Sequence, residues 1–115
     1  MSKKIDFQRL NQERTDLNEL LKQEDEFFQN FANLETETYQ ANDALDKKTK
    51  ELIGLTISLT TRCDECIIYH LQECKKAGVT RAEIIEVIKL AIIGSGSVLY
   101  PNARLAIKTI DQLEL

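Results

Sequence analysis

Apolar residues recur along this chain at the spacing of one helical face rather than in strict alternation. Between residues 7 and 31 they form a largely one-sided stripe: Phe7, Leu10, Leu17, Leu20, Leu21, Phe27, Phe28 and Phe31. This stripe predicts one long amphipathic helix or two short ones. The polar and acidic stretch 33–46 predicts a connection, in which Asn42, Asp43 and Asp46 are turn or N-cap candidates.

Two helices are predicted after this connection, on either side of a short break. The first runs from Lys47 to about Leu59 and has a polar first turn and an apolar face. Residues 60–62 then form a break with a capping hydroxyl, and a second helix runs from about Cys63 to Lys76. Gly78 is expected to cap its C-terminal end, because glycine readily adopts a left-handed conformation.

The last third of the sequence predicts two more helices. Thr80 and Glu83 form a capping box at the start of a helix from Arg81 to Ile93. Its broad apolar face is the predicted core: Ile84, Ile85, Val87, Ile88, Ala91 and Ile92. Pro101 is expected to break or kink the chain before a final helix from Asn102 to about Leu113. The inward positions predicted for that helix are Ala103, Ala106, Ile107, Ile110 and Leu113.

The pattern as a whole predicts an all-α fold, a compact bundle of about five to six helices, because no segment alternates as a strand would. We expect an N-terminal amphipathic helical segment over residues 1–44 and a core over residues 45–115, within a single domain overall. The 115 residues leave no room for a second domain.

The charge balance narrows the possible partners. A net charge of −4 and scattered basic residues argue against nucleic acid and anionic membranes, which bind clustered Lys and Arg. The N-terminus lacks the apolar stretch of a secretory signal, and the uncharged run 90–103 is broken by Gly and Pro and is too short to span a membrane. Three cysteines, an odd number, fit a reducing compartment. We therefore predict a cytoplasmic protein.

Candidate chemistry is concentrated at Cys63 and Cys66. Two cysteines separated by two residues at a helix start can close a small disulfide ring, and the helix N-terminus stabilises the reactive thiolate. His70 follows Cys66 at i+4, on the same helical face, where an imidazole can accept or return a proton. A histidine alone is more often structural, but this placement favours a functional one. We expect oxidation to join Cys63 to Cys66 and to leave Cys74 free as a packing thiol.

Other interpretations of these residues stay open. Cys63, Cys66, His70 and Cys74 are four zinc-binding side chains, but they would span about 16 Å of one helix, whereas zinc ligands converge within about 2.3 Å of the ion. The alternatives to redox work are a zinc shared between subunits, a three-ligand catalytic zinc site, or inert buried thiols. The segment 94–97, Gly-Ser-Gly-Ser, could suggest a phosphate loop, but no strand precedes it, and close helix packing is the expected role. We predict no metal and no cofactor.

Glu51, Cys63, Cys66 and His70, in that order and spacing, resemble the AhpD-like branch of the carboxymuconolactone decarboxylase family. The similarity covers roughly residues 45–110. It implies a thiol peroxidase in which Cys66 attacks the peroxide, Cys63 resolves the sulfenic acid as a disulfide, and His70 with Glu51 relays the proton. It also implies a homo-oligomer, a trimer or hexamer. The chain departs from the pattern at Glu65, where peroxidase members often carry a histidine, and a carboxylate there disfavours the neighbouring thiolate.

Two hypotheses follow from the sequence. The first is a (alkyl hydro)peroxidase or disulfide-reducing antioxidant protein that acts on a small-molecule peroxide or disulfide and is recycled by a thiol reductant. The second is a non-catalytic helical oligomer that serves as a redox sensor or a metal-binding module. Turnover of an alkyl hydroperoxide with a dithiol reductant distinguishes the first from the second.

Overall fold

The computed structural model describes residues 3–41 and 43–115 and confirms the all-α prediction, since no strand occurs in those ranges. It contains six α-helices and one 3-10 helix: α1 Phe7–Glu24, α2 Glu26–Gln40, α3 Lys47–Thr60, α4 Asp64–Lys76, α5 Arg81–Ser95, the 3-10 helix Ser97–Leu99, and α6 Tyr100–Gln112. In the described part of the chain, none of these helices is long and apolar enough to cross a membrane.

The chain divides into two compact units, Met1–Ala41 and Asn42–Leu115. The first unit holds α1 and α2, which contact each other and are separated only by Asp25. The Asp25 carboxylate caps α2 by accepting a hydrogen bond from the backbone N–H of Phe27 at 2.8 Å. No residue of either helix is fully buried. The amphipathic stripe of the sequence therefore forms two helices rather than one.

The predicted connection over residues 33–46 is wrong in its first half, because α2 continues to Gln40. Leu34 follows Phe27 and Phe31 at helical spacing, so the apolar stripe extends beyond the aromatic residues. Within this helix, the hydroxyl of Thr38 donates a hydrogen bond to the carbonyl oxygen of Leu34 at 2.7 Å. A polar composition does not distinguish such a helix from a connection, because the polar side chains of a surface helix can face solvent.

The start of α3 agrees with the sequence. Asp46 is the N-cap, and its carboxylate accepts a hydrogen bond from the backbone N–H of Thr49 at 2.7 Å. Hydrogen bonds from the Thr49 side chain and from this backbone N–H lower the pKa of Asp46 below its usual value. Of the other two candidates, Asp43 lies in the bend before α3, and Asn42 lies outside the described residues.

The second unit is built around the α3–α4 pair. Helix α3 packs against α4 and α5, and α6 packs against α4 and α5. The core consists of apolar side chains that are almost completely buried, among them Leu55, Leu59, Ile67, Leu71, Ile84, Ile88, Leu99, Ala106 and Ile110. The predicted apolar face of α5 is confirmed at Ile84, Ile88 and Ala91, which are buried. This core fixes α3 and α4 side by side.

The turn between α4 and α5 is built as the sequence predicts. Gly78 has a φ of +80°, and the next backbone N–H, of Val79, donates to the carbonyl oxygen of Cys74 at 3.0 Å. Both hydrogen bonds of the capping box between Thr80 and Glu83 are present. The bonds from Thr80, together with Lys48, lower the pKa of Glu83.

The turn between α5 and α6 differs from two expectations. Pro101 does not break a helix; it lies in the first turn of α6, where its missing N–H needs no partner. The expected close helix packing at the Gly-Ser-Gly-Ser segment is also wrong, since a Cβ on Gly94 or Gly96 would meet nothing within 4 Å and the segment is exposed. Gly96 is instead required by its φ of +86°.

Candidate functional site

The turn before α4 places the two cysteines. Arg62 adopts a left-handed conformation with φ +56°, and the backbone N–H of Cys63 donates to the carbonyl oxygen of Ser58 at 3.0 Å. The predicted capping hydroxyl is wrong: the Thr61 hydroxyl donates back to Ile57, and Cys63 itself is the N-cap of α4. Its Sγ accepts a hydrogen bond from the backbone N–H of Cys66 at 3.3 Å.

Cys63 and Cys66 form a disulfide with their Cα atoms 5.2 Å apart, as the spacing predicts. Both residues are half-buried, whereas the intervening Asp64 and Glu65 are exposed. The sulfur of Cys63 lies at the positive end of the α4 dipole and touches a backbone N–H, so this position stabilises negative charge on sulfur. A reversible dithiol is the chemistry that this arrangement supports.

Glu51 and His70 meet across the α3–α4 interface. The Nδ1 atom of His70 lies 2.9 Å from Oε1 of Glu51, which confirms the expected proximity of these two residues. The Glu51 residue is only 1% exposed, and the His70 side chain is 13% exposed. His70 is also one helical turn beyond Cys66, as the i+4 spacing requires. The structure thus brings the predicted carboxylate and imidazole together beside the disulfide helix.

Lys47 is a member of this group that the sequence reasoning missed. Its Nζ lies 2.7 Å from Oε2 of Glu51, so the buried carboxylate contacts Lys47 with one oxygen and His70 with the other. The signal was present in the i, i+4 spacing of Lys47 and Glu51, but such pairs are usually solvated and of little consequence. Here the acid of the pair is buried.

The protonation state of Glu51 is decided by opposing effects. Burial raises the pKa of this carboxyl, but the hydrogen bonds from His70 and Lys47 and the charge of Lys47 outweigh burial, so that the pKa lies below its usual value. Glu51 is therefore an ionised carboxylate at neutral pH. Because such a carboxylate can only accept hydrogen bonds, Nδ1 of His70 is the donor in this contact.

A second contact outside the sequence prediction fixes the first turn of α4. Asn102, buried near the start of α6, donates its Nδ2 to Oδ1 of Asp64 at 3.1 Å. Asp64 directly follows Cys63, so this bond ties the cysteine motif to α6. No sequence signal could find a partner 38 residues away.

Cys74 is free and completely buried, as predicted for a packing thiol. Burial, together with the nearby negative charges of Glu51 and Glu73, raises the pKa of Cys74 to about 12. This sulfur stays protonated at physiological pH and does not act as a nucleophile. Within residues 3–41 and 43–115, no three His, Cys, Asp or Glu side chains are grouped so as to hold a metal ion.

These features define a class: all-helical proteins with a Cys-x-x-Cys disulfide at a helix start and a buried Glu–His pair on the adjoining helices. The family model of the carboxymuconolactone decarboxylase family matches residues 25–109. The chain belongs to this family.

Solved structures of family members share the fold. A carboxymuconolactone decarboxylase family protein of Thermotoga maritima superposes with a TM-score of 0.86 at 36% identity, over 92% of this chain and 90% of that one. A Legionella pneumophila family protein superposes with a TM-score of 0.80 at 29% identity, over 92% and 95% of the two chains.

Relatives in sequence include proteins named for peroxide reduction. An alkyl hydroperoxide reductase AhpD of Mycobacterium marinum is 34% identical over 56 residues, which are 49% of this chain but only 32% of that protein. An uncharacterized protein of the cox locus of Paracoccus denitrificans is 32% identical over 74 residues, 64% of this chain and 67% of that protein. The chain is thus similar to about a third of the length of AhpD.

Proposed function

We propose that this protein is a dithiol oxidoreductase that reduces alkyl hydroperoxides, with Cys63 and Cys66 as its redox couple and a dithiol compound as its reductant. The observation that carries the proposal is the Cys63–Cys66 disulfide at the N-terminus of α4, one turn before a histidine that is held by a buried carboxylate. The similarity to mycobacterial AhpD supports the choice of substrate.

The reaction needs two electrons, and the two thiols supply them. The thiolate of Cys66 attacks one peroxide oxygen, the O–O bond breaks, and the alkoxide takes up a proton and leaves as an alcohol. Cys66 becomes a sulfenic acid. Cys63 then attacks this sulfur, the S–O bond breaks, water leaves and the disulfide forms. A dithiol reductant restores both thiols by exchange.

His70 moves the proton in this scheme. Its Nε2 accepts the proton of the Cys66 thiol and returns it to the departing oxygen, while Glu51 orients the ring and stabilises the imidazolium. The supporting geometry is the 2.9 Å contact between Nδ1 of His70 and Oε1 of Glu51. We assign Cys66 as the attacking sulfur because His70 is at i+4 from it, and Cys63 as the resolving one.

The contact of Cys63 with the backbone N–H of Cys66 favours a second activity. A thiolate at the N-cap is stabilised without a base and is suited to attack a disulfide. We therefore propose disulfide reduction as the alternative reaction of the same couple, with Cys63 as the nucleophile.

The proposal is tested by mixing reduced protein with tert-butyl hydroperoxide and dithiothreitol and following peroxide consumption. We expect one alcohol and two lost thiols per chain in a single turnover, and continued consumption with the reductant. Cys74→Ala is the matched control and retains the wild-type rate, because Cys74 is buried and protonated. Cys66→Ser abolishes turnover. In the absence of dithiothreitol, which would itself reduce a sulfenic acid, Cys63→Ser consumes one peroxide per chain and stalls as a sulfenic acid.

The other outcomes are equally informative. A sulfenic acid trapped on Cys63 in Cys66→Ser protein would exchange the two roles. Reversible thiol oxidation without turnover would indicate a redox sensor, and stoichiometric zinc in the reduced protein without turnover would indicate a metal-binding module.

We place the proposed peroxide-reducing activity in the cytoplasm, where thiols are kept reduced.

A further inference from the structure

Glu51 is a buried carboxylate with two basic neighbours rather than one. Oε1 contacts Nδ1 of His70 at 2.9 Å and Oε2 contacts Nζ of Lys47 at 2.7 Å. Lys47 is half exposed, with 37% of its side chain accessible, whereas the Glu51 side chain is 2% accessible. The Lys47 ammonium therefore places a positive charge beside the Glu51 carboxylate, which is almost inaccessible to water.

A buried carboxylate needs one compensating positive charge, since an unpaired ion is costly in a low-dielectric interior. Among the groups at this carboxylate, only His70 or Glu51 itself could supply that charge in the absence of Lys47, by taking up a proton. With Lys47, the carboxylate is already neutralised, and His70 can hold to Glu51 as a neutral ring that donates from Nδ1. A neutral ring is what a proton acceptor must be.

We propose that Lys47 is a positioning residue that keeps His70 in the neutral, proton-accepting state by supplying the charge that Glu51 requires. This inference deepens the proposed function and rests on it for its catalytic meaning. Lys47 itself touches neither sulfur in this scheme; it acts through the carboxylate. This role gives a reason for the burial of Glu51, because an i, i+4 ion pair such as Lys47–Glu51 ordinarily lies on the surface and contributes little.

Several other polar and charged groups of the packed helices have partners elsewhere. On α3, Lys48 pairs with Glu83 of α5 at 3.0 Å. On α4, Glu73 pairs with Lys76 at 2.9 Å, and Cys74 stays a neutral thiol. From α6, Asn102 holds Asp64. Lys47 and His70 are thus the groups whose charges act directly on Glu51.

His70 is the single histidine of the chain, so its protonation can be followed directly by NMR. The experiment uses the oxidised full-length protein and records the imidazole Cε1–H and ring-nitrogen shifts at pH 7.5 in wild type and in Lys47→Met. We expect the ratio of protonated to neutral imidazole to rise about tenfold in Lys47→Met, the effect of losing one nearby positive charge. Lys47→Arg should restore the wild-type ratio to within about twofold.

Lys48→Met is the matched control, because it removes the same charge from the same turn of α3 but pairs with Glu83 instead. It should leave the imidazole ratio unchanged. An unchanged ratio in Lys47→Met, or an equal rise in Lys48→Met, would overturn the proposal. If circular dichroism shows that Lys47→Met is not folded, Lys47→Gln is measured in its place. Because the oxidised protein performs no turnover here, a failed peroxidase assay does not affect this result.

Discussion

At the scale of single residues, the proposed mechanism assigns different tasks to the His70 imidazole and to the Glu51 carboxylate that contacts it. Glu51 fixes which nitrogen of His70 carries the hydrogen, and His70 projects from the helix that carries both reactive sulfurs. Either residue alone would be ordinary: a helix-surface glutamate or a packed histidine. The role proposed for them depends on a contact that the packing of α3 on α4 creates.

His70→Ala should slow the reaction of reduced protein with peroxide most strongly near neutral pH, by roughly 10²–10⁴, the range for a positioned acid or base. Part of the rate should return at high pH, where the Cys66 thiol ionises without help. Glu51→Gln should show a weaker form of the same profile. Stopped-flow rates between pH 6 and 10 measure this, and a wild-type profile for His70→Ala would eliminate the relay.

Acid stability provides an independent test of Glu51. Its pKa is lowered in the folded chain relative to the ordinary value of 4.5, so its stabilising contribution is present above about pH 4.5 and is lost as the pH falls through the folded-state pKa. The free energy of unfolding of Glu51→Gln should therefore fall less steeply between pH 5 and 3 than that of wild type. Urea denaturation at several pH values measures both slopes; Asp46 and Glu83 contribute equally to each, and parallel curves would contradict the assignment.

At the scale of helices, local sequence signals predicted the second unit well. The capping box at Thr80, the glycine turn at Gly78 and the aspartate cap at Asp46 are local rules, and the structure follows each of them. Errors arose where a local rule was ambiguous: polar residues after 33 remain helical, and Pro101 starts a helix rather than interrupting one.

Only the site residues whose positions follow from spacing along one helix could be predicted from local sequence. The cysteine pair and His70 lie on one helix, so their spacing specifies their geometry. Glu51 came from family similarity alone. The contact of Asn102 with Asp64 depends on how α6 packs, and no pattern within either helix encodes it. Lys47 could have been paired with Glu51 by spacing, but the burial of that glutamate was not visible in the sequence.

Gly78 and Gly94 both lie near helix ends but differ in backbone conformation, so their alanine variants form a matched pair for stability measurements. Gly78→Ala should destabilise the protein by about 1–2 kcal/mol, because its φ of +80° is unfavourable for a residue with a Cβ, although no atom would clash. Gly94→Ala should stabilise it by up to about 1 kcal/mol, since Gly94 lies within α5 and its Cβ would also meet nothing. Urea denaturation of both variants measures the two signs; destabilisation by Gly94→Ala would mean that something covers this position in solution.

At the scale of the whole molecule, the second unit exposes large apolar side chains on its surface. Ile93 is 86% exposed and Leu90 65% exposed, and both lie on α5 near the end that leads to α6. Large apolar side chains gathered on one helix are typical of surfaces that bind another protein. We propose that further copies of this chain cover them, in a trimer or hexamer.

The oligomer proposal is tested by light scattering after size-exclusion chromatography. We expect wild type to elute as a trimer or hexamer, and Ile93→Glu to shift toward monomer, because a buried unpaired charge is unfavourable in an apolar interface. Lys89→Glu, four residues before Ile93 on the same helix, is the control for added negative charge, since it changes the net charge by two units where Ile93→Glu changes it by one. A monomeric wild type at micromolar concentration would refute the proposal.

The completely buried third cysteine makes the chain its own chemical probe. Reduced, folded protein should offer two sulfurs to a thiol-specific label, and the oxidised, folded protein none; once the chain is unfolded, each count rises by one as Cys74 becomes accessible. Labelling stoichiometry by mass spectrometry therefore reads redox state and foldedness as two separate signals from one sample, without a tag or an added chromophore.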